Sequence, residues 1–264
     1  MSKVVVITGG TSGIGLETAK ALQAQGCTVY ELSRRDKGAA PGVRHITADV
    51  TDEQQVDAAI EQIVAEAGRI DVLINNAGFG ISGAIEFTET AEAQRQFDVN
   101  FFGMVRMNHA VLPVMRRQGG GRIISMSSVA APIAIPFQAY YSASKAAVRT
   151  YMLALASEVK PYGIETCAIM PGDIATGFTA ARRKNPAGDD VYGGRISRSV
   201  AVMEHDEQTG ITAESAGAFV AEKALQKKVP VLCTLGGKYK IFVFLTRLLP
   251  YRLMVWLVGL IYAK

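Results

Sequence analysis

Seven short runs of β-branched and apolar residues, most of them followed by a longer segment of helical spacing, constrain this chain more than any other feature. The runs fall near Lys3–Thr8, Thr28–Ser33, Val43–Ala48, Val72–Asn75, Arg122–Met126, Glu165–Met170 and Val229–Cys233. Between them, Gly15–Gln25, Glu53–Ala67, Ala91–Arg117, Ala139–Tyr162 and Ala213–Gln226 carry apolar residues at helical intervals. Strands separated by segments this long return as parallel neighbours through crossover helices. The pattern predicts a doubly wound α/β domain, a seven-stranded parallel sheet with helices on both faces, and the 264 residues fit one such domain without a linker or repeat.

Charge narrows the function classes. Residues 223–264 hold eight Lys/Arg and no acid, which leaves 20 basic residues against all 24 acidic ones in the first 222. A body that is net acidic lacks the basic face needed to bind nucleic acid. Cys27, Cys167 and Cys233 are too few and too scattered for a disulfide framework or a metal cage, and His45, His109 and His205 show no metal-ligand spacing. The start, MSKVVVITGG, has no secretory apolar core, so a cytoplasmic location is expected.

The first run leads straight into Thr8-Gly9-Gly10-Thr11-Ser12-Gly13-Ile14-Gly15 and then a helix. Glycines at 9, 13 and 15 remove side chains that would keep a pyrophosphate from the backbone, and the helix N-terminus offers it N–H groups. The second run ends at Ser33-Arg34-Arg35. An acid there would grip a ribose 2′-hydroxyl, whereas Arg accommodates a 2′-phosphate, so the residues favour NADP(H) over NAD(H). Asn75-Asn76-Ala77-Gly78 closes the fourth run, where ligands of open α/β sheets bind. Ser128 follows the fifth, with Tyr141 thirteen residues on and Lys145 at i+4 from it. Residues i and i+4 share a helix face, so the ammonium is expected to lie near the phenol and lower its pKa. Ser127 is the rival to Ser128; Tyr140, at i+5 from the lysine, is off the face.

Together TGGTSGIG, Asp49-Val50, NNAG, Asn100 in VNFFG, Ser128, YSASK and Pro171-Gly172 with Thr176 resemble the short-chain dehydrogenase/reductase family over most of residues 3–235. The resemblance implies a Rossmann-like domain and an oxidoreductase moving a hydride between a nicotinamide and a carbonyl or alcohol, with no metal. It implies Tyr141 as general acid or base, Ser128 as hydrogen-bond partner of the reacting oxygen, Lys145 on the nicotinamide ribose and Asn100 on a proton-relay water. Gly9, Ser12, Gly13, Ile14 and Gly15 would wrap the cofactor phosphates, Arg34 the 2′-phosphate, and Asp49 and Val50 the adenine. Asn76 and Ala77 would face the adenosine-side ribose, Thr176 the carboxamide, and Pro171 the same cofactor wall.

Two segments depart from the commonest pattern. Residues 177–212 mix glycines and charges and are expected to form a substrate lid, with Arg182, Arg183 and Lys184 as candidate contacts to an acidic substrate group. Residues 237–264 form an apolar, basic tail resembling the hydroxysteroid, retinol and acyl-dihydroxyacetone-phosphate reductase branches, which points to a small hydrophobic substrate such as a steroid-, retinoid- or lipid-like ketone. Acyl-dihydroxyacetone-phosphate reduction at a membrane and a non-catalytic NADP sensor are the alternatives. The longest apolar run of the tail, Leu253–Ala263, is too short to span a bilayer. It is expected to cover the cleft or a partner in a homodimer or homotetramer, with peripheral membrane contact as the other outcome.

Overall fold

The computed structural model describes residues 2–36 and 38–263. In chain order it contains β1 (Val4–Thr8), α1 (Gly13–Ala24), β2 (Thr28–Ser33), β3 (Arg44–Thr47), α2 (Glu53–Ala67), β4 (Val72–Asn75), β5 (Ile81–Ser82), α3 (Thr90–Phe97), α4 (Gly103–Arg117) and β6 (Gly121–Met126). Then follow α5 (Ala139–Val159), β7 (Ile164–Pro171), β8 (Ile174–Ala175), α6 (Phe178–Ala181), β9 (Arg183–Lys184) and α7 (Arg195–Gln208). The last elements are β10 (Ile211–Thr212), α8 (Ala213–Leu225), β11 (Leu232–Leu235), α9 (Gly237–Leu245) and α10 (Tyr251–Tyr262).

Seven strands form one sheet in the order β11-β7-β6-β4-β1-β2-β3, every pair parallel. The strands read as continuous apolar runs because both faces are covered, as in β1, where all five residues are buried. One face packs against α2, α4 and α5 through Val56, Ile60, Met107, Val111, Val148 and Met152. The other packs against α1 and α8, where Gly217 lets α8 approach the backbone of Glu17 closely. The order reverses between β1 and β4, so their carboxyl ends frame the crevice in which such folds bind ligands.

Two elements differ from the sequence expectation. The last strand pairs only from Leu232, because Pro230 has no N–H to give the ladder. The expected helix 91–117 is broken between α3 and α4 by a π-helical turn, Asp98–Phe102, which carries Asn100. Such turns re-aim side chains and concentrate at functional sites.

Arg122 ties the sheet to α8. Its Nη1 donates to the carbonyls of Lys223, Ala224 and Gln226 at 2.8–2.9 Å, while the guanidinium pairs with Glu165. These are the unpaired carbonyls of a helix end, where a cation is also favoured by the helix dipole. Arg122→Leu leaves them without that donor and is expected to cost about 2–4 kcal/mol of stability. Urea denaturation of wild type and variant checks it.

Candidate active site

The turn after β1 is built to receive an anion. Gly9 and Gly13 adopt φ of +68° and +52°, which L-residues with side chains avoid. A Cβ on Gly15 would collide with the Gly9 carbonyl and the Asn76 amide, so α1 starts hard against the turn. Ser12 occupies the N-cap of α1 without a side-chain capping bond, and no acid lies in its first turn. By contrast, α2 and α8 are capped by Asp52 and Thr212. The open N–H groups of α1 fit a phosphate, and the cradle left by the glycines fits a dinucleotide.

The surrounding residues converge on this turn. Asn76 Nδ2 donates to the carbonyls of Thr8 and Gly9 at 3.0 and 3.1 Å, and Thr8 Oγ1 accepts from the Asn76 and Ala77 amides at 3.1 and 3.0 Å. Asn76 therefore fixes the turn, and its amide hydrogens are not available to a ribose as the resemblance implied. Ile14 packs inward, and Thr176 lies within 3.4 Å of where a Gly13 side chain would begin. Pro171 ends β7 and accepts from the Val129 amide at 3.0 Å. Arg34 is exposed at the end of β2, with no ion pair among the described residues. Asp49 Oδ1 accepts from the amide and hydroxyl of Thr51, and buried Val50 packs against Gly103.

Beyond the turn, four polar side chains meet at the carboxyl edge of the sheet. The phenol of Tyr141 on α5 shares a hydrogen bond with Ser128. Ser128 Oγ also accepts from the Ala130 amide at 3.1 Å, whereas Ser127 is buried and donates to the Lys145 carbonyl at 2.8 Å. Of the two serines, Ser128 is the one beside the Tyr141 phenol. Tyr140 turns away toward the Ile85 carbonyl. Lys145, 6% exposed, donates to the Met126 carbonyl at 2.8 Å, and its Nζ lies 5.8 Å from the Tyr141 ring centre. Asn100 accepts from the Phe79 amide at 2.9 Å and donates to the Phe79 carbonyl and Ser144, and Gly78 fills the narrow space between Asn100 and Lys145.

With this geometry, similarity to known proteins can be weighed. The short chain dehydrogenase family profile matches residues 3–187. A 3-ketodihydrosphingosine reductase of Bacteroides thetaiotaomicron is 39% identical over 264 residues, covering 99% of this chain and 98% of the relative. The chain belongs to the short-chain dehydrogenase family. Its solved relatives include a Brucella melitensis 3-ketoacyl-(acyl-carrier-protein) reductase complexed with NADH, at TM-score 0.75 and 25% identity over 88% of this chain and 96% of that one. ElxO with NADP bound matches at TM-score 0.76 and 26% identity, covering 91% and 100%. A nicotinamide cofactor follows for this short-chain dehydrogenase.

Electrostatics at the site differ from the expectation that Lys145 lowers the Tyr141 pKa. Burial pushes the phenol up to about 12, against the opposing hydrogen bond from Ser128, with Glu207 raising and Arg182 lowering it further. Burial drives Lys145 the other way, to about 8. Desolvation of both groups outweighs their mutual effect at this separation.

The mouth of the dehydrogenase site holds residues that the sequence did not single out. Phe178 of α6 packs on Tyr141 with ring centres 5.8 Å apart, and the Arg182 guanidinium lies 5.8 Å from the Phe178 ring centre. Arg182 is buried and paired with Glu207; Arg183 pairs with Glu92 and Lys184 with Glu204. The basic run expected to bind an acidic substrate group instead ties the start of the 177–212 segment to α3 and to that segment's own helix α7. Tyr239 of α9 lies flat on Gly172 and donates to Asp173, whose pKa burial raises. Phe137, just before α5, has φ +58°, an outlier for a bulky side chain, and its ring meets Tyr192. No motif spacing announces these contacts, since each joins the lid or tail to a distant element.

The displaced lysine gives a signed pH effect. A folded-state pKa near 8 against 10.5 for the free side chain means that between these values the unfolded chain binds more protons, so stability rises with pH. Below pH 8 the burial penalty is fully present. Cofactor-stripped protein is expected to gain stability from about pH 7.5 to about pH 9.5, and Lys145→Met to lose that rise. Urea midpoints across the range check it.

Proposed function

We propose that this short-chain dehydrogenase is an NADP(H)-dependent reductase of a hydrophobic, lipid-like ketone. The observation that carries the reaction is the Tyr141 phenol, hydrogen-bonded with Ser128 above the buried Lys145. When bound, the reduced nicotinamide supplies a hydride to the carbonyl carbon. Ser128 holds the carbonyl oxygen and donates to it as negative charge develops. Tyr141 Oη then delivers its proton to that oxygen, leaving an alcohol and a phenolate that solvent reprotonates. A phenol pushed up to about 12 keeps its proton at neutral pH, which suits donation more than abstraction. The inferred NADP(H) preference favours reduction as the direction.

Lys145 and Asn100 would position the ribose and the proton-relay water, Asp49 and Val50 the adenine, Ala77 and Thr176 the remaining cofactor wall. Ser33 at the end of β2, with exposed Arg34 beside it and in no ion pair among the described residues, supports NADP(H), since the β2 carboxylate, Glu31, is fully buried and held by the Gly10 amide and His45. A lipid-like ketone is supported by the 39% identical relative, a 3-ketodihydrosphingosine reductase, and by the aromatic packing of Phe178 on Tyr141 at the mouth. Arg182, Arg183 and Lys184 are each engaged by a glutamate, which argues against an acidic headgroup such as that of acyl-dihydroxyacetone-phosphate.

The reading is tested by NADPH oxidation with long-chain keto lipids, steroids and retinoids, NADH being run in parallel. NADPH-dependent turnover of a long-chain ketone is expected; turnover of polar ketones alone would overturn the substrate class. Tyr141→Phe is expected to bind NADPH normally and lose roughly 10²–10⁴-fold in kcat. Arg34→Ala is expected to raise KM for NADPH about tenfold and to leave KM for NADH unchanged, since a charge-assisted phosphate contact is worth about 1.5–3 kcal/mol.

A further inference from the structure

We propose that the outer faces of α9 and α10 form a docking surface for an anionic lipid bilayer. In α10, Leu253, Trp256 and Leu260 recur at i, i+3 and i+7, so they share one face, and they are 40%, 58% and 38% exposed. Val258 packs inward. In α9, Tyr239 and Val243 are buried at i and i+4, while Ile241, Phe242 and Phe244 point outward, followed by exposed Leu248. These side chains come from one contiguous segment, and so many exposed apolar groups in so short a stretch are of the kind that marks an interaction surface.

Charge selects the occupant. Lys238, Lys240, Arg247 and Arg252 are exposed among these apolar side chains, and the segment 223–264 contains no acid to its C-terminal side of Glu222. A second copy docking through the same patch by a two-fold axis would set these cations against themselves with no counter-charge. Dimer interfaces also deplete lysine at their centres. An anionic bilayer complements both features, taking the aromatic and aliphatic side chains at the acyl boundary and the cations among its headgroups. Lys240 and Arg247, with Phe244 and Val243, also line a groove of about 380 Å³ between α8, β11 and α9, which gives a lipid headgroup and the start of its chain a place beside the helix. No described helix is long and apolar enough to cross a membrane, so α10 lies in the interface plane.

The same tail meets the mouth of the active site. The Tyr262 phenol reaches Asp206 at 3.5 Å, Arg195 Nε donates to the Ala263 carbonyl at 2.7 Å, and Tyr239 joins Asp173. Docking therefore brings the lid helix α7 to the bilayer together with α10. This surface is argued independently of the substrate, and its test does not use turnover.

Trp256 is the only tryptophan, so its fluorescence reports on α10 alone. The full chain is titrated with phosphatidylcholine vesicles, with and without about one third phosphatidylglycerol. A blue shift, quenching by brominated acyl chains, and at least about tenfold tighter partitioning to the anionic vesicles are expected. Phe244→Glu with Leu260→Glu should abolish the shift, and Lys240→Glu with Arg247→Glu should remove the preference for anionic lipid. Both variants should retain the circular dichroism and NADPH affinity of the wild type. Absence of a shift with anionic vesicles overturns the proposal. So does a shift that appears with rising protein concentration alone, accompanied by dimer in sedimentation, which makes a second copy the occupant.

Discussion

Burying the ammonium of Lys145 is the constraint around which the site is organised. A cation so placed is costly unless it is hydrogen-bonded, and here one sheet carbonyl, Met126 O, takes it at 2.8 Å. The space beside it is kept narrow by Gly78, and Asn100 closes the far side from a π-helical turn. A regular helix through residues 98–102 would rotate Asn100 away from the Phe79 backbone that it both accepts from and donates to. The same burial leaves the lysine short of acceptors, and its depressed pKa records that shortage.

The second dependency is mechanical. Thr8 and Asn76 lash the ends of β1 and β4 together, so the anion-binding turn and the floor of the catalytic pocket cannot move separately. Beneath the turn, the fully buried carboxylate of Glu31 accepts from the Gly10 amide at 3.1 Å and pairs with His45. These contacts explain why glycine at 9 and 15 is a requirement of packing as well as of ligand approach, since a Cβ at either meets backbone or the Asn76 amide that is itself tied down, whereas at 13 the φ of +52° is what favours glycine.

The sheet was legible in the sequence because its central strands, β1 and β4 above all, are buried on both faces and read as apolar runs, and α2 was legible at both ends because Asp52 caps it and Gly68 ends it in a left-handed conformation. Ser128, Tyr141 and Lys145 were legible because their spacing is local, set by one strand end and one helix face. What was hidden depends on contacts across the chain. The charges of Arg182, Arg183 and Lys184 looked free in sequence and are neutralised by Glu207, Glu92 and Glu204 from two other helices. Spacing made Lys145 and Tyr141 neighbours as expected, but the expected lowering of the phenol's pKa is outweighed by burial, which spacing does not reveal.

The mouth and the tail carry opposite charge, and tyrosines join them. Glu207, paired with Arg182, and Asp173 lie near Tyr141, Asp206 lies beside Asp173, and Tyr239 and Tyr262 of the tail reach Asp173 and Asp206. Burial raises the pKa of both phenols, so they stay protonated and act as neutral donors to the acids they meet. A tail made only of cations and apolar groups would be drawn flat onto this acidic rim and close it. The tyrosines instead hold the rim at two points through neutral contacts, with Lys238 over the Tyr239 ring beside Asp173, while Lys240, Arg247 and Arg252 remain exposed. That separation keeps the inner face of the tail suited to lining a pocket and its outer face suited to an anionic surface, two tasks that one undivided basic helix could not perform.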